Sequence, residues 1–203
     1  MLDTAPPRAK GRPREFCPDA ALAEALGVFW ARGYEGASMA ELTQAMGITK
    51  PSLYAAFGNK EALFGKALDL YEREKMAYTR EALEQPTARA VAEYFMRGAI
   101  ANQCNADGPK GCLGVIGTTA CGAEGEGVKA EIIKRRACSR DALVARFRRA
   151  REEGDLQPHV DPEALCGYLF TILQGMAVQA GAGASREDLE KVVETSLMVW
   201  PSR

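Results

Sequence analysis

The stretch GITKPSLYAAFGNKEALF, Gly47 to Phe64, carries two helix starts and two glycine stops in a very short span. Thr49 can cap a helix, and Pro51 then lies in the first turn, where its missing N–H costs little. Leu53 and Phe57, four residues apart, should pack inward. Gly58 ends this helix, and Asn59 can cap a following one that runs from Lys60 towards Leu83. What stays outside on the short helix is Thr49, Lys50, Ser52, Tyr54 and Ala55. Such a clustering of hydroxyls, a lysine and a phenol at one helix start calls for a partner.

Upstream, a helix is expected to start near Pro18, with Asp19 favourable in its first turn. Leu22, Leu26, Phe29 and Trp30 fall at helical spacing, and Gly33 should end the helix. Ser38-Met39-Ala40-Glu41 reads as a capping box. Met39, Leu42 and Met46 make one apolar face before Gly47 stops this second helix. Two short helices joined by a glycine turn, resting on a third amphipathic helix, make a helix-turn-helix. Leu42, Met46, Ile48, Leu53 and Ala56 are expected to hold its helices at a fixed angle. A helix that enters the major groove needs small or hydrogen-bonding side chains near its N-terminus. The positive end of its dipole also favours phosphate.

The remaining sequence extends this all-helical pattern. Apolar residues make up 47% of 203 positions and aromatics 7%, a balance that leans to helix. Net charge is -1, yet the first fourteen residues hold Arg8, Lys10, Arg12 and Arg14 against Asp3, which reads as a flexible basic arm. Further helices are expected around 87–104, in a short piece near Cys112, over 124–153, 161–181 and 186–200, with no strand pattern. The predicted organisation is a basic arm (1–14), a helix-turn-helix unit (15–60) and a larger helical part (61–203), about nine helices in all. No apolar run reaches membrane-spanning length, and no secretory leader is evident, so a soluble cytoplasmic protein is expected. Six cysteines without a CxxC pair, and a single His159, argue against a structural zinc site. No cofactor is expected.

Residues 11 to 65, with GRPREF at the start and FWARGYEGASMAELTQAMGITKPSLYAAFGNKEALF from Phe29 on, resemble the DNA-binding domain of tetracycline-repressor (TetR) type regulators. The similarity includes the Gly-Tyr-Glu-Gly-Ala-Ser turn, the Tyr54/Phe57 pair and the Lys-Glu-x-Leu-Phe helix start. It implies a homodimer in which a variable helical part binds an effector and moves two DNA-reading heads relative to each other. Carried over by position, Ser38 would contact phosphate, and Thr49, Lys50, Pro51 and Ser52 would approach bases or backbone. Tyr54 and Lys60 would meet phosphates, and Arg12 and Arg14 the minor groove or backbone. Lys50 is the candidate for base readout, since lysine donates to guanine O6 or N7. The competing readings are a core role for Tyr54 and Phe57 and a merely solvated arm.

In the larger part, Leu165, Leu169, Ile172 and Gly175, with Leu189, Val193, Leu197 and Trp200, form stripes that would pair two subunits or fill the monomer core. In the resembling family two such helices per subunit make a four-helix bundle. Two heads about 34–36 Å apart would then read successive major grooves of a palindrome. The long helix carries Lys129, Lys134, Arg135, Arg136, Arg140, Arg146, Arg148, Arg149 and Arg151, either a second nucleic-acid surface or a solvated face paired with acids elsewhere.

Cys112, near Lys110 and at a helix start, has surroundings that favour a reactive thiolate. The segment resembles a subset of the family that senses electrophiles through a cysteine at a similar place. Cys104 and Cys121 would be resolving partners; packing of Cys112 as a small hydrophobe is the alternative. A reversible small molecule would instead meet Phe64, Tyr71, Tyr94, Phe95, Phe147, Tyr168 and Gln174. A thiol enzyme needs a base, and His159 follows a proline in a connection. The expected function is a dimeric DNA-binding regulator, a repressor released from operator DNA by an effector, and not an enzyme.

Overall fold

The structure is a computed structural model and describes residues 16–104, 108–119 and 125–202. Ten helices occur among the described residues: α1 Pro18–Gly36, α2 Met39–Ala45, α3 Lys50–Phe57, α4 Lys60–Lys75, α5 Tyr78–Leu83, α6 Ala88–Gln103, α7 Leu113–Thr119, α8 Glu126–Glu152, α9 Pro162–Gly181 and α10 Arg186–Met198. These residues form no strand, and Leu156 and Ser202 make one isolated antiparallel bridge.

Local chemistry accounts for most of the helix starts. The side chains of Ser38, Thr49, Asn59, Thr87, Asp161 and Ser185 each accept a backbone N–H of the first turn. Each cap satisfies a donor that the helix leaves open. Two expectations need correction. The helix from Lys60 does not run to Leu83: it stops at Met76, whose N–H donates to the Tyr71 carbonyl, and α5 follows. The turn lets Tyr78 lie on α6, its ring beside Phe95 and under Gly98, where a Cβ would come within 2.3 Å of the Tyr78 ring. No glycine or proline marks this break in the sequence. Gly33, expected to end the first helix, instead kinks it at φ 72° and ψ 177°, and the helix resumes to Gly36.

Two apolar cores result. The first gathers Phe29, Leu42, Leu53, Leu63 and Phe64, with Leu113 of α7 and Ile132 of α8. It therefore crosses residue 60. The second is built from Met96, Ile100, Leu143, Phe147, Leu169 and Val193. Helix α8 is long enough to serve both, with Val128 and Ile132 in one and Leu143 and Phe147 in the other. Ala56 does not join Leu42, Met46 and Leu53 in the first core and is exposed. Only the Leu53–Phe57 strip of α3 faces inward. By length and composition α9 is apolar enough to cross a membrane, contrary to the expectation from sequence, with 33% of that window buried inside the chain.

Candidate nucleic-acid interface

The interface begins with two caps. Ser38 Oγ accepts the Glu41 amide at 3.1 Å, and the Glu41 carboxylate returns to the Ser38 amide at 3.1 Å. That backbone hydrogen bond, reinforced by the Ser38 hydroxyl, holds the Glu41 carboxyl below its ordinary range. Its charge is engaged at the start of α2, with Arg32 Nε of α1 at 3.9 Å. Thr49 Oγ1 accepts the Ser52 amide at 3.3 Å and lies 2.9 Å from Ser52 Oγ. The first turn of α3 holds Lys50 and Pro51 and no acid, so its positive end is uncompensated.

Burial separates the two sides of α3. Leu53 is fully buried and Phe57 is 6% exposed, whereas Tyr54 is 48% exposed. The phenol of Tyr54 is therefore not a core group, and Phe57 is. Thr49, Lys50 and Pro51 are exposed and Ser52 is half-buried. Lys60, at the first position of α4, holds its Nζ 4.6 Å from the centre of the Tyr34 ring. Tyr34 itself stands edge-on to Phe64 at 5.4 Å. Sequence reasoning missed Tyr34 as a platform for this lysine; the signal was present in the Gly-Tyr-Glu-Gly turn, but not the ring's position. Arg12 and Arg14 lie outside the described residues.

The body of the molecule does not bring the candidate lining residues together. Phe64 and Tyr71 belong to the first core; Phe95 and Phe147 belong to the second. Tyr94 turns its hydroxyl to Glu81, Tyr168 is exposed with its ring near Trp200, and Gln174 is half-buried on α9. The buried ones among them divide between the two apolar cores.

Tyr71 does reach Cys112. Its hydroxyl donates to Cys112 Sγ at 3.5 Å and accepts from Asn102 Nδ2 at 3.1 Å. Burial pushes the Tyr71 phenol well above its ordinary range, and neighbouring Cys112 adds to this; Tyr78 is raised for the same two reasons. Cys112 packs against the first core and Cys104 against the second, and Cys121 lies outside the described residues.

Most of the residues expected at a subunit interface are buried within the chain: Leu165, Leu169, Leu189, Val193, Leu197 and Trp200. Ile172 is partly buried, and Gly175 is exposed. The apolar groups left outside on α9 and at the end of α10 are Tyr168, Val178, Met198 and Val199. Of the basic residues on α8, Arg135 meets Asp69, Glu72 and Glu131, Arg148 meets Glu163, and Arg136 donates to the Gly114 carbonyl. Arg146 is buried and donates to the Gln85 carbonyl at 2.7 Å. Lys129, Lys134, Arg140 and Arg151 are exposed. Acids and carbonyls of neighbouring helices thus take several of these charges.

A capped helix pair on a shared core, with a basic and hydroxyl-rich α3 start turned outward, defines a helix-turn-helix protein. Residues 21–67 match the model of bacterial regulatory proteins, tetR family. The HTH-type transcriptional repressor ComR of Escherichia coli (strain K12) is 38% identical over 200 residues, covering 96% of this chain and 93% of ComR. The repressor BdcR of the same strain is 27% identical, covering 90% of this chain and 88% of its own. Among solved structures, the TetR family transcriptional regulator CifR, as a cysteine mutant complexed with a 26-bp double-strand operator DNA, is 42% identical. It superposes with a TM-score of 0.88 over 94% of this chain and 100% of its own. The chain belongs to the TetR family of DNA-binding transcriptional regulators.

Proposed function

We propose that this regulator is a homodimeric repressor that binds a palindromic operator and is released by an effector acting on its helical body. The observation that carries this reading is the exposed first turn of α3, which contains no acid and is backed by buried Leu53 and Phe57. Residues 15–60 form the reading head, residues 61–203 the effector and dimerisation part, and 1–14 an arm along the DNA. Lys50 reads base edges; Ser38, Thr49, Ser52, Tyr54 and Lys60 hold phosphates, which set register while base contacts select sequence. Pro51 keeps the backbone close to the groove. Support comes from relatives named repressors and from a similar regulator solved on operator DNA. The same kinship favours a regulator over an enzyme, and a cytoplasmic site of action. Exposed Tyr168, Val178, Met198 and Val199 favour pairing through α9 and α10, because such an apolar surface gains from cover.

Salt titration tests DNA binding. On a duplex selected by the protein from random sequence, the logarithm of affinity should fall linearly with that of salt, with about 0.9 of slope for each phosphate neutralised. A shallow slope equal on selected and scrambled duplexes would remove the operator reading.

A second reading, release through modification of Cys112, is favoured by the Tyr71 hydroxyl at 3.5 Å from its sulfur and by its place at the start of α7. Anisotropy on DNA with and without N-ethylmaleimide, for the natural chain and Cys112→Ser, separates it from a reversible ligand. Release of the natural chain alone supports the thiol.

A further inference from the structure

Three elements meet at Gly111. Its carbonyl accepts the indole N–H of Trp30 at 3.2 Å, and its amide donates to the Gln103 carbonyl at 3.1 Å. A Cβ there would lie 3.0 Å from the Ala177 carbonyl oxygen of α9, and φ is +83°. Neither the space nor the backbone favours a side chain. Trp30 is buried, with its ring edge-on to Tyr71 at 4.9 Å. Farther along α7, Ile116 Cγ2 lies 3.4 Å from the Cβ position of Gly33, where α1 kinks. The segment 111–116 therefore grips α1 at two points and rests on α9, whose outer side exposes Tyr168 and Val178.

This joint is mechanically separate from the covalent passage out of α3 into α4. The shared core already packs α1 on α4, with Phe29 edge-on to Phe64 at 4.9 Å. The joint adds a tie from α1 to the segment before and within α7, and the polar bond at Trp30 has a defined direction that packing alone lacks. Because the same segment abuts α9, the orientation of the head is referred to the helix that carries the proposed subunit contact.

We propose that Trp30 and Gly111 are positioning residues that set the separation of the two α3 helices, and with it the half-site spacing that the dimer accepts. The proposal rests on the two-headed operator reading above. One inserted base pair moves a half-site about 3.4 Å along the axis and turns it by about a tenth of a helical turn. A rigid pair of heads loses contacts on such DNA; a loosened pair follows it.

The test uses the full chain and a duplex it selects from random sequence, with copies carrying one base pair more or fewer between half-sites. The natural protein should bind the altered spacings roughly tenfold or more weakly. Trp30→Phe keeps an aromatic ring in place while deleting the indole donor and some buried volume, the loss for which Phe147→Leu controls; Ile116→Ala loosens the second grip from a half-buried position. For each, the penalty for altered spacing should shrink to about threefold or less, with affinity for the selected spacing nearly kept. Phe147→Leu, in the second core, serves as the control for general destabilisation and should retain the full penalty. Should Trp30→Phe not fold, Ile116→Ala carries the comparison. Folded variants that keep the natural penalty overturn the joint. A natural protein indifferent to spacing removes the two-headed reading itself, and the joint with it.

Discussion

At the scale of single residues, the outward phenol of Tyr54 and the ammonium of Lys60 are the sharpest probes of the interface. Tyr54→Phe deletes one hydroxyl that is 48% exposed, so stability should change by less than about 0.5 kcal/mol while operator affinity falls. Lys60→Ala should lower affinity and reduce the salt slope by about 0.9, measured by anisotropy from low to moderate salt. An unchanged slope would take Lys60 off the phosphates. Tyr71→Phe probes the body. It leaves Asn102 Nδ2 without its 3.1 Å acceptor and Cys112 without its donor. Loss of about 1 kcal/mol is expected in urea unfolding, since half-buried Asn102 loses its oxygen acceptor and keeps only the Met76 sulfur at 3.9 Å. Equal stability of the two proteins would mean that water replaces the hydroxyl.

At the scale of elements, the capping box of α2 and the clasp between α4 and α8 make separate predictions. Ser38→Ala removes the acceptor of the Glu41 amide and should cost about 1 kcal/mol. The Glu41 carboxyl is held below its ordinary range by the Ser38 backbone and hydroxyl. A depressed carboxyl stabilises the fold above its unfolded pKa, and this stabilisation disappears as pH falls through the folded value. Thermal unfolding of the natural chain should therefore show a loss at acid pH that is smaller in Ser38→Ala. A loss of the same size in both would place the acid sensitivity elsewhere. The clasp is Arg135, whose guanidinium contacts Asp69 at 2.7 Å and Glu72 at 3.0 Å on α4, and Glu131 at 2.8 Å on its own helix. Its partners are largely exposed, so screening limits its worth to about 1 kcal/mol. Arg135→Gln should cost that much at low salt and much less at 1 M, where the Debye length is about 3 Å. A cost independent of salt would assign the effect to packing of the side chain's stem.

At the scale of the whole molecule, two cores share α8, and an apolar surface remains outside on α9 and at the end of α10. Leu169→Ala opens a hole in the second core, where the side chain is fully buried, and should cost about 2–5 kcal/mol. Val178→Asp and Met198→Asp change residues that are 57% and 76% exposed, so the monomer should keep its fold. Sedimentation of this double variant should show monomers where the natural chain gives dimers. Dimers in both would move the subunit contact to another face.

The helix-turn-helix was legible in the chain because its signals are local. Ser38 with Glu41, Thr49 before Pro51, and Asn59 before Lys60 are caps whose partners lie within three residues, so spacing alone reveals them. The inward strip of Leu53 and Phe57 follows equally from helical period. What tertiary structure alone decided depends on residues far apart in the chain. The stop at Met76 precedes Tyr78, which beds on α6, and the kink at Gly33 is covered by Ile116 of α7. Trp30 finds its acceptor 81 residues away, at Gly111. The stripes of α9 and α10 satisfied two readings from sequence, since an apolar face carries no label for the surface that covers it. Only the packed chain showed Leu165, Leu169, Leu189 and Val193 turned inward and Tyr168, Val178 and Met198 left outside. Local capping depends on neighbours in sequence and can be read there; burial and long-range hydrogen bonds depend on which helices meet, and that is settled only when all of them pack.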